Sequence, residues 1–449
     1  MSTIEKHDMT QGKILLPLVS FTIPLVLGNL FQLTYNAADS VIVGKYVGEQ
    51  ALAAVGTSTP IMNIAILLIS GMCMGASVLM SSQYGAKDYD TLSRQISTTM
   101  LAGCGFSVVF SLLMLLLANP VLRLIRVPET AIPEAAAYLR IIFMGLIFTF
   151  MYNFLANTMR ALGDSKTPLY FLVTSAFLNI FGDLFFAVVL RWGVAGSAIA
   201  TVCSEGLCCL LCGIYIKKKI PLLCLGKKWW VFDKSLLGKT VSYGSTSAMQ
   251  QVCLQLGKLI IQSVVNTQGV AVMAAFTAVN RVDDFAYTPQ QNIGHAMTTF
   301  LAQNKGAGHK ERMKKGFQTG LLIELVYSIG LFCVIWGLAP QIMTLFAEDG
   351  DAQVVSLGIS YLHLISWMYI LPGLTNGVQG FFRGIGDLKV TLYSTFMNMF
   401  GRVVAVFVMI RLLQMEFASL AWANMVGWIV MLLFEVPLLV KSMRNGECG

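Results

Sequence analysis

Five isolated acids stand inside long apolar runs of this chain: Asp39 in YNAADS, Asp183 in LNIFGDLFF, then Glu205, Glu324 and Glu435. A carboxylate in such surroundings is costly, so each is a candidate functional group. Asn36 lies three residues before Asp39, and Asn179 four before Asp183. Residues spaced this way share a helix face. Asn179 and Asp183 can therefore present an amide oxygen and a carboxylate together, and Thr201 with Glu205 repeats the spacing. Such oxygens suit a hard cation, and the same carboxylate can take a proton. The plainer reading is that each acid pairs with a buried base such as Arg281, Lys258 or Arg402. For Glu205, Glu324 and Glu435, a helix-end or pairing role is the expectation.

The elements that must hold these groups are membrane helices. Hydrophobic residues make up 56% of the 449 and charged residues only 12%, against roughly 25% charged in a soluble chain. Uncharged stretches such as Ile14 to Ala38 and Gln50 to Ala86 reach the ~20 residues that cross hydrocarbon. Runs such as SLLMLLLANPVL lack the two-residue alternation of barrel strands, so helices are predicted. The spans read 14–39, 52–82, 96–119, 137–160, 168–190 and 194–216, then 240–268, 270–302, 317–339, 357–382, 389–411 and 418–440. Six fall in each half. The expected domains are an amino-terminal lobe, 1–216, a basic linker, 217–239, and a carboxy-terminal lobe, 240–449.

The halves repeat each other. RALGDSKTPLY, from Arg160, returns as RGIGDLKVTLY, from Arg383, and Tyr138-Leu139 returns as Tyr361-Leu362. Both repeats keep one and the same offset along the chain. LNIFGD, from Leu178, recurs as MNMFGR, from Met397, and SSQYGAKDY, from Ser81, is echoed by LAQNKGAGH, from Leu301. A doubled membrane chain implies two bundles around a central substrate cavity.

Basic residues set the orientation. Placing the amino terminus inside puts Lys6, Lys13, Lys87, seven lysines between 217 and 239, and the Lys305–Lys315 group in the cytoplasm. Only Lys45, Arg123, Arg126, Arg191 and Arg411 then lie outside, so both termini are expected in the cytoplasm of a cell-membrane protein. The net charge of +8 reflects this bias and implies no nucleic-acid partner. The opening MSTIEKHDMTQGK lacks the apolar core of a cleavable signal. Eight of ten cysteines fall in predicted spans, where cysteine acts as a small apolar packer. The Cys208-Cys209 and Cys212 group has metal-like spacing, but lipid placement and only four histidines disfavour a metal. GxxxxGK[ST], HExxH and GxSxG are absent. No nucleotide engine or catalytic constellation is present, and uphill transport would draw on an ion gradient.

At these residues the chain resembles the MATE (multidrug and toxic compound extrusion) transporters. PLVLGNLFQLTYNAADSVIVGKYVGEQALAAVG is similar to the family's first span and following loop. SSQYGAKD, RALGDSKTP, GVAGSAIATV, AFTAVNRVDDF and AQNKGAG follow in the family's order. The resemblance covers nearly the whole chain. It implies an all-α integral membrane protein, with twelve transmembrane helices in two pseudo-symmetric six-helix lobes. It also implies alternating access and export of amphipathic, mainly cationic compounds against inward proton or sodium flow, with no cofactor. The family's first-lobe cation site maps onto Asp39, Asn179, Asp183 and Thr201, which could hold sodium. The acid some members carry in span seven is absent, since Gln250, Gln251 and Gln255 are amides and Lys258 is that span's only charge. Arg402 stands opposite Asp183 in the repeat, which again favours a first-lobe ion site.

Secondary candidates complete the reading. Pro24, inside span one, removes a helix hydrogen bond and is either a hinge or a static kink. Tyr35, Asn36, Asn153, Arg281, Asp283 and Asp284 are candidate cavity residues; the last three are read mainly as an internal ion pair. Gly163-Asp164 and Gly386-Asp387 are expected to form turns and caps. A single copy is the expected functional unit. The alternatives are a lipid-linked precursor flippase, a membrane-embedded enzyme and a channel. A flippase would need a strongly basic cavity, and intramembrane bases are few.

Overall fold

The computed structural model describes residues 8–125, 127–220, 230–346, 352–411, 415 and 417–444. Among these the chain is helical throughout: α1 (Leu15–Ile42), α2 (Glu49–Gly85), α3 (Tyr89–Leu124), α4 (Ile132–Met144), α5 (Leu146–Ala161), α6 (Lys166–Gly182) and α7 (Gly193–Lys219), then α8 (Lys234–Val265), α9 (Val270–Gly306), α10 (Lys310–Phe346), α11 (Ala352–Ser366), α12 (Ile370–Ile385), α13 (Leu388–Arg411) and α14 (Ala418–Arg444). Among the described residues nine spans are long and apolar enough to cross a bilayer, or ten if α4 and α5, bent by 47°, count as one. Helices α8 and α9, of 32 and 37 residues, complete twelve. Their mean hydropathy is lowered by Lys234, Lys239 and Lys258 in α8 and by Arg281, Asp283 and Asp284 in α9. The twelve-span fold expected from the sequence is the observed one.

The repeat is written into the corners. Gly48 (φ 121°) precedes α2, and its counterpart Gly269 (φ 101°) precedes α9. After α2, Ala86 N donates to Ser82 O, Lys87 N to Tyr84 O and Asp88 N to Gln83 O. After α9, Ala307 N donates to Gln303 O, Gly308 N to Lys305 O and His309 N to Asn304 O. Each bond recurs at the spacing that separates Gly48 from Gly269, one position later than the alignment of Ser81 with Leu301 implies. The shift has a physical reason. Lys87 (φ 57°) and Gly308 (φ 72°) take the one left-handed position of the corner, and only the later register superposes them. At the second corner Gly163 (φ 89°) and Gly386 (φ 87°) do the same, in the register of the RALGD and RGIGD repeat around them. There Asp164 caps α6, accepting from Lys166 N at 3.1 Å and Thr167 N at 3.0 Å.

Among the described residues two compact units result, residue 8 with 23–248, and residues 9–22 with 249–444. The first unit reaches into α8 because residues 230–248 pack on it. Arg94 pairs with Asp233 at 2.6 Å, and a Cβ on Gly71 or Gly75 would meet the backbone of Ala248 or Tyr243 at 2.6 and 2.5 Å. Lipid tails are as apolar as leucine, so helices associate through such close backbone approach. The second unit holds residues 9–12 through Arg312, whose guanidinium donates to the carbonyls of Met9, Gln11 and Gly12. Helix α1 therefore passes from one unit to the other between Thr22 and Ile23, beside Pro24.

Candidate functional site

Asp39 lies one turn before the end of α1, where a π-helical turn, Val43–Val47, takes over. Asp183 opens a second π-helical turn, Asp183–Val189, that continues α6. Such turns shift helix register and concentrate at functional sites. Two glycines bring this segment against α7. A Cβ on Gly182 would lie 2.8 Å from Ala200 Cβ, and one on Gly196 would lie 2.7 Å from the Phe186 backbone. That approach sets Asn179 and Asp183 beside Ser197 and Thr201.

The contacts are specific. Ser197 Oγ donates to Asp39 Oδ1 at 3.3 Å, and Asn179 Nδ2 donates to Thr201 Oγ1 at 3.1 Å. Thr201 Oγ1 donates in turn to Ser197 O at 3.1 Å. Asp183 is fully buried and Asn179 nearly so. Both Asp183 carboxyl oxygens are sealed from solvent and accept no hydrogen bond of normal geometry; the Asp39 carboxyl and the Ser197 hydroxyl are the polar groups that act on it. Two ionised carboxylates side by side repel, and a proton or a bound cation relieves the conflict. The donors fit a small cation: two carboxylates, the Thr201 hydroxyl oxygen and the Asn179 carbonyl, left free because its amide nitrogen makes the bond to Thr201.

No base among the described residues stands within ion-pair distance of this group. Among the described residues the ion pairs within 4.0 Å are Arg94–Asp233, Arg123–Glu129 and Lys258–Asp284. Lys258 is thus committed elsewhere, and neither Arg281 nor Arg402 reaches Asp39 or Asp183.

The remaining candidates divide. Tyr35 is half-buried and feels the charge of both Glu205 and Asp39. The Asn36 side chain lies outside the described residues. Asn153 turns its amide back to Thr149 O at 2.9 Å. In the second unit, Asp283 is buried and accepts from Tyr369 OH at 2.6 Å. Asp284 pairs with Lys258 at 3.6 Å, while Arg281 is exposed. The ion pair expected inside that cluster therefore forms with a neighbouring helix, because Asp283 turns inward to Tyr369 and Arg281 points out. Glu205 accepts from Thr149 Oγ1 at 2.5 Å, a hydroxyl rather than the base a pairing role calls for.

Sequence reasoning missed Ser197 and Thr149. Extending the Thr201–Glu205 spacing back one turn reaches Ser197. Thr149 carries no comparable signal. A cavity of about 520 Å³ opens at the first turn of α7, lined by residues including Glu134, Arg191 and Trp192. It contains none of the four predicted ion-site residues.

The MatE family model matches residues 24–185 and 247–409. The probable multidrug resistance protein YpnP of Bacillus subtilis is 32% identical over 392 residues, covering 87% of this chain and 86% of the relative. The probable multidrug resistance protein NorM of Thermotoga maritima is 23% identical over 425 residues, covering 92% and 89%. Among solved structures, a MOP superfamily transporter from Pyrococcus furiosus superposes with a TM-score of 0.90 at 22% identity, over 99% of each chain. A multidrug resistance MATE family transporter gives a TM-score of 0.91 at 22% identity, over 100% of this chain and 99% of that one.

Proposed function

The chain belongs to the MatE family of multidrug efflux transporters, multi-pass membrane proteins rather than enzymes, and from that premise we propose that it is an antiporter coupled at Asp39 and Asp183. The single observation that carries this reading is the unneutralised acid pair. Two carboxyls from α1 and the α6 extension meet, Asp183 sealed and Asp39 held by a serine hydroxyl, with no base within ion-pair distance among the described residues. One proton or one sodium ion completes the group, and its departure restores the repulsion. Because Asp39 sits on the helix that passes between the units beside Pro24, its charge state acts on a segment already short of a backbone hydrogen bond. The cargo is an amphipathic organic cation, carried by alternating access in a single copy of the chain. Both termini and the 217–239 linker face the cytoplasm.

The test is export from proteoliposomes under separately imposed pH and sodium gradients. Export driven by either gradient alone is the expected result and names the ion. Export that follows neither gradient overturns the coupling. A lipid-linked precursor as cargo lacks support here, since Asp39, Asp183 and Glu205 make this interior acidic.

A further inference from the structure

A third acid shares the α7 face that carries the site. Ser197, Thr201 and Glu205 follow at intervals of four, so they lie one above another. Each reaches a different helix: Ser197 bonds Asp39 of α1, Thr201 accepts from Asn179 of α6, and Glu205 accepts from Thr149 of α5. Glu205 stands two turns below Ser197, about 12 Å along the axis.

Its surroundings differ from those of the other buried acids. Asp183, Glu324 and Glu435 each have both carboxyl oxygens sealed away without a donor. Glu205 has one oxygen fixed by Thr149, itself only 5% exposed, while the residue keeps partial exposure. No base lies within ion-pair distance of it among the described residues. Aromatic side chains lie in its neighbourhood. Tyr35 and Tyr138 are within reach of its charge, and Phe148 packs against the neighbouring Gly206. An anchored carboxylate with an open oxygen and no counter-ion, near aromatic side chains, matches the charged centre of an apolar cation.

We propose that Glu205 is the anionic anchor for an organic cation, separate from the Asp39–Asp183 pair that takes the coupling ion. The inference rests on the reading that organic cations are the cargo. It explains how drug and ion act on one helix without competing for one carboxylate, since both stations lie on the same face of α7.

Equilibrium binding to the purified full-length chain, with no gradient, tests it. The probes are methyltriphenylphosphonium, whose charge is permanent, and uncharged triphenylphosphine oxide. Glu205→Gln is expected to weaken phosphonium binding about tenfold or more, as loss of one ionic contact would, and to change phosphine oxide binding less than twofold. Thr149→Val, which frees the carboxylate without removing it, is expected to weaken only the cation, by a smaller factor. That variant also decides the matter should Glu205→Gln fail to fold. Unchanged phosphonium affinity in the variants, or equal loss of both probes, overturns the proposal. A wild-type chain that binds no phosphonium instead overturns the cargo reading itself. Coupling at Asp39 is not probed, because no gradient is present.

Discussion

The two units put related sequence to different electrostatic use. In the first, Asp39 and Asp183 meet, with Ser197 donating to Asp39 and both Asp183 oxygens left without a hydrogen bond. In the second, the repeat sets Arg402 opposite Asp183 and Tyr361 opposite Tyr138. There Asn424 Nδ2 donates to Tyr361 OH at 2.9 Å, and buried Asp283 is bonded by Tyr369 within the field of Arg402. The second unit thus supplies its own positive charge, whereas the first leaves an acid pair that only an ion or a proton completes. Duplication therefore need not double the coupling chemistry. One half is free to be a scaffold once a base replaces the acid.

The largest effect should come from removing the unmet charge. Asp39→Asn and Asp183→Asn are each expected to reach the membrane and to lose gradient-coupled export by about 100-fold. The double variant should be little worse, because residues acting as one unit are not additive. Near-normal export by Asp39→Asn at wild-type abundance would break the comparison at its stronger side.

Next in size is the second unit. Asp283→Asn removes the carboxylate that accepts the Tyr369 hydroxyl and weakens that bond. It should cost about 1–3 kcal/mol of stability, read as a lower thermal midpoint, while export per folded molecule stays above half. Loss of export without loss of stability would show that the second unit also couples.

Gly196→Ala probes the close approach instead of the charge. Its Cβ would press on the Phe186 backbone, costing about 1–3 kcal/mol. Because α7 would be pushed from the α6 extension, ion-dependent protection against heat should weaken more than stability without the ion. Equal changes in both would make Gly196 a packing residue only.

The smallest effect belongs to a corner. Asp88 caps α3 by accepting from Thr91 N at 3.1 Å, and its bonds with Thr91 hold its carboxyl below the usual carboxylate range. A lowered value means the cap contributes fully above the ordinary range and is lost as pH falls through the folded value. Asp88→Ala should cost about 1 kcal/mol at neutral pH and nothing in strong acid. His309 holds the matching place before α10, so His309→Ala should not reproduce that pH profile. A thermal midpoint followed against pH for both variants checks this.

Much of this was legible in the chain itself. Hydropathy gave the helices, because lipid leaves an unpaired backbone no other choice. Identities such as RALGDSKTP and RGIGDLKVT survive at the corners because each needs a left-handed residue and a following hydrogen bond. Asn179 and Asp183 could be paired from their spacing alone, since both lie on one helix. What the sequence could not decide were meetings between helices. That Asp39 is held by Ser197, that Glu205 finds Thr149 rather than a base, and that Lys258 takes Asp284 and leaves Arg281 outside depend on which faces pack together. The same holds for the division of the molecule inside α8, where Gly71 and Gly75 admit the backbone of residues 243–248. Local spacing fixes which groups share a helix, but the partners of a buried charge are set by close approach between helices distant in the chain, and here that approach runs through glycines whose neighbours only the tertiary structure names.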